Sequence, residues 1–232
     1  MEPVPDLVTL HVWRVARRAV PAAVARMALD RRHLGRTPGL SFAKSLGTGD
    51  GRTFTVRDAD PRRWALLGAW RSAADAVAFE ASPVPVAWAR LAEETCRLEL
   101  RPLAARGRWS GRAPFGDPRA QRWDGPVAAL TRARLTLRKA RVFWRAVPPV
   151  STDLRAAPGL RLALGIGEAP VGLQGTVSVW DDARALRGFA YDRPAHLDAV
   201  ARTVTQGWYA EELFARFALT GASGSIDGVS PL

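Results

Sequence analysis

The feature that most constrains the fold of this chain is an internal repeat, because the second half follows the residue pattern of the first half. One constant offset, with no gap, superposes similar residues over a long stretch. The aligned pairs are Leu10 with Leu130, Arg14 with Arg134, Arg18 with Arg138, Leu34 with Leu154, Pro38-Gly39-Leu40 with Pro158-Gly159-Leu160, and Gly47 with Gly167. We therefore expect two similar structural units in one chain.

After Gly47 the first half carries an insertion, GDGRTFTVRDADPR, that is rich in Gly and Asp and has the composition of a loop. Two further offsets, both shorter, then align the rest of the halves. The further pairs are Trp70 with Trp180, Ala73 with Ala183, Phe79 with Phe189, Gly111 with Gly228 and Pro114 with Pro231. These limits predict a first repeat at residues 1–115, a polar linker at 116–125 and a second repeat at 126–232.

Each half has the same predicted order of elements: strand, helix, strand, strand, helix. The first half supplies the strand LVTLHVWRV, the helix PAAVARMALDRRHLG, the strands LSFAKSLG and WALLGAW, and the helix SAADAVAFEASPVPVAWARLAEET, broken at Pro83 and Pro85. The second half supplies VAALTRARL, RKARVFWRAV, LRLALGIG, LQGTVSVW and DARALRGFAYDR, then a final helix AHLDAVARTVTQGWYAEELFARF after Pro194.

This order resembles a ferredoxin-like β-α-β-β-α unit, whose sheet carries helices on one face and needs cover on the other. Two such sheets in one chain can cover each other. The predicted fold is therefore α+β, with two tandem ferredoxin-like repeats that form a pseudo-dimeric α+β barrel.

The charge and cysteine content exclude several classes of protein. The net charge is +12, but the basic residues are scattered in ones and twos, so we expect no nucleic-acid partner. Cys96 is the one cysteine, which rules out an intramolecular disulfide and a cysteine-rich metal site. No apolar run is long enough for a transmembrane segment, and acidic residues precede the first apolar run, so the sequence predicts a cytoplasmic protein.

Five segments in the same order resemble spheroidene monooxygenase and its relatives among carotenoid and secondary-metabolite oxygenases. They are GRWSGRAPF, FWRAVPPV, PGLRLALGIGEAPVGLQGTVSVW, FAYDRPAH and GWYAEELFARF. The resemblance covers most of the chain and is densest at residues 107–217. It implies a haem-containing oxygenase that takes electrons from reduced ferredoxin, and hence haem b with its iron as the cofactor.

The repeat helps to select the iron ligand, because a residue that the scaffold requires should have a similar counterpart in the other half. None of the histidines has one: His11 aligns with Thr131, His33 with Asp153 and His196 with Val86. The resemblance places His196, in the motif RPAH, as the axial ligand of the iron. The alternative is that His196 only caps a helix. His11 is the second candidate.

The same comparison singles out further polar residues. Arg132 stands where the first half has Val12, and Lys44 aligns with Leu164. We predict that Arg132, Lys44 and Gln174 act on the bound oxygen or substrate and that Arg134 binds the haem propionates. The alternative for each residue is a surface salt bridge.

The tryptophans divide in the same way. Trp70 and Trp180 recur at the repeat offset and are expected in the core, whereas Trp144 and Trp208 are predicted to line the haem and substrate pocket in the second half. The Gly-rich stretches around Gly47 and Gly165 fall at hairpin turns and do not form a dinucleotide-binding motif.

The sequence therefore predicts a haem-dependent monooxygenase that acts on a hydrophobic small molecule, with electrons from an external donor such as ferredoxin. Two other functions stay open. A cofactor-free oxygenase or cyclase would use His11 or His196 as a base, and a non-catalytic carrier would hold a hydrophobic ligand or haem without turnover. Assembly into a homodimer is also left open.

Overall fold

The computed structural model describes residues 2–52, 58–135, 140–168, 175–192 and 209–232. The described strands are β1 (Leu7–Val15), β2 (Leu40–Gly49), β3 (Ala59–Trp70), β4 (Ala92–Gly107), β5 (Val127–Leu135), β6 (Leu160–Gly167), β7 (Gly175–Trp180) and β8 (Tyr209–Gly224). The described helices are α1 (Val20–Leu34), α2 (Ala73–Phe79), α3 (Pro83–Leu91), α4 (Ala140–Arg155) and α5 (Ala183–Asp192).

The strands close into one antiparallel barrel in the order β1-β3-β2-β6-β7-β5-β8-β4. The halves meet at two seams, β2 with β6 and β4 with β8. At the first seam Gly47 pairs with Gly167, its own counterpart in the repeat, and at the second Arg101 pairs with Ala218 in the same way. A residue that pairs with its own counterpart lies close to a pseudo-two-fold axis. The predicted pseudo-dimeric α+β barrel is therefore confirmed.

The alternation of side chains along each strand divides the protein into layers. On β1, Val8, Leu10 and Val12 point into the barrel and join one large apolar core. The intervening Trp13 and Val15 point outward and pack with α1, α2 and α3 in a second core. A corresponding outer core in the second half contains Val127 and Trp180. Each half thus has its helices on the outside of the barrel.

The recurrent tryptophans lie in equivalent outer cores, as predicted. Trp70 and Trp180 are both buried, and each packs on the aromatic ring that the repeat pairs with it, Phe79 at 4.9 Å and Phe189 at 5.4 Å. Both indoles also donate a hydrogen bond to a hydroxyl on the sheet. These two positions therefore serve the scaffold.

The helices predicted at the end of each half are wrong over their last part. In the first half α3 ends at Leu91 and the chain continues directly as β4. In the second half the predicted helix is a strand from Tyr209 onward, and its residues before Tyr209 lie outside the described part of the chain. Each half is therefore β-α-β-β-α-β, with a fourth strand that builds the seam between β4 and β8.

Proline positions explain smaller differences between prediction and structure. Pro83 does not interrupt a helix: α2 ends at Phe79, and Pro83 opens α3, where its missing N–H costs no helical hydrogen bond. Helix α4 continues through Pro148 and Pro149 to Arg155, beyond the predicted limit. The last residues of the inserted stretch already belong to β3, which begins at Ala59.

The predicted linker, residues 116–125, is described throughout and contains neither helix nor strand. Within the linker, the Trp123 indole donates a hydrogen bond to the carbonyl of Pro126 at 2.8 Å and lies under the Arg101 guanidinium at 5.5 Å. Among the described residues, no helix is long and apolar enough to cross a membrane.

Candidate functional site

Two of the predicted site residues meet at one end of the barrel. Lys44 on β2 and Arg132 on β5 both point into the barrel, and both bind the carboxylate of Glu168, the residue after β6. The Lys44 Nζ lies 2.6 Å from one Glu168 oxygen, and an Arg132 guanidinium nitrogen lies 2.6 Å from the other. Arg132 is almost fully buried. The structure thus brings together two strands of one half and one of the other.

A tight turn at the end of the first half covers this cluster. Trp109 is fully buried and donates its indole N–H to Glu168 at 2.8 Å. Ser110 accepts a hydrogen bond from Lys44 at 2.6 Å. Glu211 on β8 accepts the backbone N–H groups of Ser110 at 3.0 Å and Gly111 at 2.7 Å, and it also binds Arg132. We call Lys44, Trp109, Arg132, Glu168 and Glu211 the barrel-end cluster.

The opposite end of the barrel carries the equivalent turn but not the same cluster. There Glu94 accepts the backbone N–H groups of Asp227 and Gly228, as Glu211 does for Ser110 and Gly111. The first turn residue has a positive φ in both turns, 55° at Ser110 and 53° at Asp227. The counterparts of Lys44, Arg132 and Glu168 are Leu164, Val12 and Thr48. The turns therefore belong to the scaffold, whereas the arrangement of Lys44, Arg132 and Glu168 is peculiar to one end; the opposite end has a different buried cation, Arg63, bound to Asp227.

The charges of the cluster balance one another. Burial alone would raise the pKa of Glu168, but hydrogen bonds from Lys44 and Trp109, with the charges of Lys44 and Arg132, outweigh burial and hold its pKa below the ordinary value. Burial also opposes ionisation of Glu211, yet the turn N–H groups and Arg132 lower its pKa. Both carboxylates are ionised at neutral pH, so they fix Lys44 and Arg132 in place.

The other predicted site residues are not brought into this cluster. Arg134 is exposed at the end of β5. Trp144 lies on α4, but its side chain is outside the described part. Gln174, His196 and Trp208 also lie outside the described residues, so their predicted roles stay predictions. The predicted roles of Lys44 and Arg132 in catalysis likewise stay predictions, now with both groups bound to carboxylates on the barrel side of the sheet.

The outer face of the second sheet differs from that of the first in side-chain volume. In the first half, His11 pairs across the sheet with Leu66, and Trp13 follows on the same face. At the equivalent positions of the second half, Thr131 pairs with Thr176, and Ala133 follows. The second sheet therefore contributes much smaller side chains to the space beneath its helices. We call Thr131, Ala133 and Thr176 the small-residue face.

The described histidines and the cysteine have defined surroundings. His11 is buried between β1 and α2, its ring is stacked on Trp13 at 5.3 Å, and its Nε2 lies 2.9 Å from Glu80. Cys96 points into the barrel core, where burial and the nearby Glu94 carboxylate raise the pKa of its thiol to about 12. His33 is exposed in the last turn of α1. Among the described residues, no three His, Cys, Asp or Glu side chains converge as a metal site.

A cavity of about 410 Å³ lies in the first half, between the end of α1 and the α2–α3 corner. Its lining includes His33, Arg36, Asp75 and Phe79. The pocket predicted from the sequence belongs to the second half, where it depends on the helices that carry FWRAVPP and FAYDRPAH. Those side chains lie largely outside the described part, so the location of that pocket stays a prediction.

Sequence reasoning missed Glu168, Glu211 and Trp109. Glu168 carried a detectable signal, because a glutamate stands there in place of the repeat's Thr48. Glu211 was hidden within a stretch predicted as helix, where its contacts to a turn of the other half could not be foreseen. Trp109 aligns with Ile226, so it resembled an ordinary apolar position.

Comparison with known proteins places the chain in a family. No protein-family model matches it. The spheroidene monooxygenase of Rhodobacter capsulatus is 39% identical over 220 residues, which are 92% of this chain and 90% of that protein. The spheroidene monooxygenase of Rubrivivax gelatinosus is 39% identical over 83% of this chain and 72% of its own length.

Among solved structures, a crystal structure of an aldoxime dehydratase in complex with butyraldoxime has a TM-score of 0.60 at 10% identity, over 92% of this chain and 79% of that one. At this identity the likeness concerns the fold, and it agrees with the α+β barrel described above. The identity to the two monooxygenases extends along nearly the whole of the repeat architecture. The chain therefore belongs to the spheroidene monooxygenase family.

Proposed function

We propose that this chain is a haem-dependent monooxygenase that inserts oxygen into a carotenoid. The substrate class is taken from the name of the relatives, spheroidene monooxygenase, which match over most of their length. The structural observation that carries the proposal is the small-residue face. The two halves have the same fold, but the outer face of the first sheet carries the large side chains of His11, Trp13 and Leu66. The equivalent positions of the second sheet carry the small side chains of the small-residue face.

A small-residue face suits a large, flat, apolar group. In the first half His11, Trp13 and Leu66 occupy the space between the sheet and the helices. At the equivalent positions Thr131, Ala133 and Thr176 have less side-chain volume, and we propose that the haem ring lies against this face. The hydroxyls of the threonines add hydrogen-bonding capacity beside an otherwise apolar surface. The residues that are present therefore fit the group.

His196 is the residue that we propose would bind the haem iron. The described alternatives are less suited to bind iron. The thiol of Cys96 faces the barrel core with a pKa of about 12, so it is not available as a thiolate at neutral pH. The Nε2 atom of His11 is hydrogen-bonded to Glu80, and the His11 ring is stacked on Trp13 in the first half. His196 belongs to the half with the small-residue face.

Haem supplies an iron that binds and activates O₂. In a monooxygenation one oxygen atom enters a C–H bond of the substrate and the other leaves as water, which consumes two electrons and two protons. We propose that an external donor such as reduced ferredoxin supplies the electrons. The chain's proposed contribution is to hold the apolar substrate at the outer layer of the second half.

The test is the visible absorption spectrum of the protein expressed with a haem precursor, followed by conversion of spheroidene with a ferredoxin-type donor. We expect a Soret band in the wild-type protein and its loss in His196→Ala, with unchanged thermal unfolding of the apoprotein. His33→Ala is the matched control, since His33 is an exposed histidine on a helix of the other half. It should retain the band and the activity.

Three results would contradict the proposal at different points. An unchanged Soret band in His196→Ala would show that haem binds but that His196 is not its ligand. A colourless wild-type protein that still oxidises the carotenoid would remove haem and favour the cofactor-free mechanism with a histidine base. Haem binding without conversion of any carotenoid would indicate a carrier.

A further inference from the structure

The solvent-facing side of α1 is apolar along most of its length. The six most N-terminal exposed residues of this helix are all uncharged and non-polar. They are Pro21, Ala22, Val24, Ala25, Ala28 and Leu29, and we call them the α1 face. Val24 is 42% exposed and Leu29 is 57% exposed, so the larger side chains of the face are not covered by the rest of the protein.

Arginines stand at both ends of the α1 face. Arg17 and Arg18 precede the helix and are exposed, and Arg31 and Arg32 are exposed in its last turn. The one acidic residue of the helix, Asp30, points the other way: it is buried and accepts a hydrogen bond from the Trp88 indole at 2.7 Å. The exposed side of α1 therefore combines an apolar centre with positive charge at each end and no negative charge.

We propose that the α1 face docks this protein on the surface of an anionic lipid membrane. A helix that lies in the membrane interface places its apolar side at the boundary between headgroups and acyl chains. The long arginine side chains can extend from both ends of the face toward lipid phosphates, with which the guanidinium forms paired hydrogen bonds. The negative potential of anionic lipids attracts the same charges.

The pattern disfavours a second copy of this chain as the occupant. In a two-fold contact the same patch is used on both partners. An antiparallel pairing of two α1 helices would place Arg17 and Arg18 of one copy against Arg31 and Arg32 of the other, and a parallel pairing would place like ends together. Either arrangement brings arginines into mutual repulsion, whereas the centre of the face offers only small side chains between Val24 and Leu29 as compensation.

The exposed side of α5 in the second half shows that the α1 pattern is not a general property of the helices. Its exposed residues include Arg184 in the first turn and Arg187 in the middle of the helix, and its last turn has no basic residue. These arginines give a control with the same number of charges on the same protein. The docking surface itself rests on α1 alone and does not depend on the proposed oxygenase activity, although a carotenoid dissolves in lipid rather than in water.

The experiment is co-sedimentation of the full chain with vesicles made of phosphatidylcholine and phosphatidylglycerol, compared with vesicles of phosphatidylcholine alone. Three variants are compared with the wild-type protein: Leu29→Asp, Arg31→Glu with Arg32→Glu, and Arg184→Glu with Arg187→Glu. Each substituted residue is exposed, and thermal unfolding checks that the variants remain folded. Light scattering after gel filtration records the oligomeric state.

We expect binding to the anionic vesicles only, weakened by salt. Each arginine near such a surface raises the partition coefficient by about fivefold, so the Arg31 and Arg32 reversal should lower it by more than about tenfold. Leu29→Asp should lower it by about tenfold as well, since the leucine no longer enters the interface. The reversal of Arg184 and Arg187 should change it much less.

The proposal fails if the wild-type protein stays in solution with anionic vesicles, or if the reversals on α1 and α5 weaken binding equally, which would indicate net charge alone. It also fails if Leu29→Asp leaves vesicle binding unchanged but abolishes a dimer, because the face would then belong to an interface between copies. None of these outcomes bears on haem or carotenoid conversion, which are measured separately.

Discussion

At the scale of single residues, Glu168 is the centre of the barrel-end cluster. It accepts hydrogen bonds from Lys44, Trp109 and Arg132, which come from separate parts of both halves. Arg132 is buried and forms an ion pair with Glu168 and another with Glu211. A charge in such a place is tolerated only while its partners are present, because an unpaired buried ion loses its hydration without compensation.

We therefore expect Arg132→Val to lower the free energy of unfolding by about 3–5 kcal/mol, since it removes the buried cation that Glu168 and Glu211 share and leaves Glu211 without a cation. The triple variant Arg132→Val, Lys44→Leu, Glu168→Thr installs the residues of the other barrel end, and it should recover most of this loss. Urea unfolding measures both. Equal stability of the single variant and the wild-type protein would show that the cluster is not needed for folding.

The lowered pKa of Glu168 makes part of the stability depend on pH. A carboxylate whose folded-state pKa lies below its ordinary value of 4.5 contributes stability above that value and loses it as pH falls. We expect the free energy of unfolding to decrease as the pH is lowered below about 5. The triple variant lacks Glu168, so its stability should fall less steeply over the same range. Parallel pH profiles of the two proteins would contradict this assignment.

At the scale of elements, the sequence predicts most strands accurately and the ends of the helices poorly. The bounds of β1, β5 and β6 match the predicted segments, because their apolar and β-branched residues have no competing helical pattern. The segments of β4 and β8 are rich in Ala, Glu, Arg and Leu, which favour helices in isolation. Each of these strands pairs with one strand of its own half and one of the other half. This pairing stabilises the extended conformation and overrides the local helix propensity.

The candidate site, like the secondary structure, could be predicted from the sequence only in part. The repeat identified Lys44 and Arg132 as departures from the scaffold, and the structure brings both onto one carboxylate. Their partners Glu168 and Glu211 could not be paired with them from the sequence, because the contacts join positions far apart in the chain, and the contact of Lys44 with Glu168 also crosses the seam between β2 and β6. The small-residue face was equally hidden, since it emerges from a comparison of strand registers.

The small-residue face gives a prediction at the element scale. Ala133→Trp introduces the side chain that the first half has at the equivalent Trp13, and it places an indole on the face where we propose that the haem lies. We expect loss of haem absorption, if haem binds there, with little change in thermal unfolding. Ala81→Trp, at an exposed corner of the first half, is the control and should retain absorption. Retained absorption in Ala133→Trp would place the ligand elsewhere.

At the scale of the whole molecule, the two halves are interdependent. The barrel closes through the β2–β6 and β4–β8 seams, and both seams join one half to the other. The closing turns are exchanged as well: the turn at Ser110 is held by Glu211 of the second half, and the turn at Asp227 by Glu94 of the first. Neither half completes its own sheet edges or its own barrel end.

Each half alone should therefore not exist as a stable monomer. Residues 1–115 would expose the barrel side of their strands, including Leu10, Leu67 and Leu98, which are buried in the intact core. Burial of such surface is worth roughly 25 cal/mol per Å², and the open edges of β2 and β4 offer unpaired N–H and C=O groups that promote association.

We expect residues 1–115 and residues 126–232, expressed separately, to aggregate or to form homodimers that reproduce a barrel from two equal units. Co-expression of both should restore a one-to-one complex, because only the natural pair supplies the charge contacts from Lys44 to Glu168 and from Arg14 and Arg63 to Asp227. Gel filtration with light scattering distinguishes these states. A monomeric half with cooperative unfolding near that of the full chain would show that each repeat is an independent domain and that the seams are merely docking contacts.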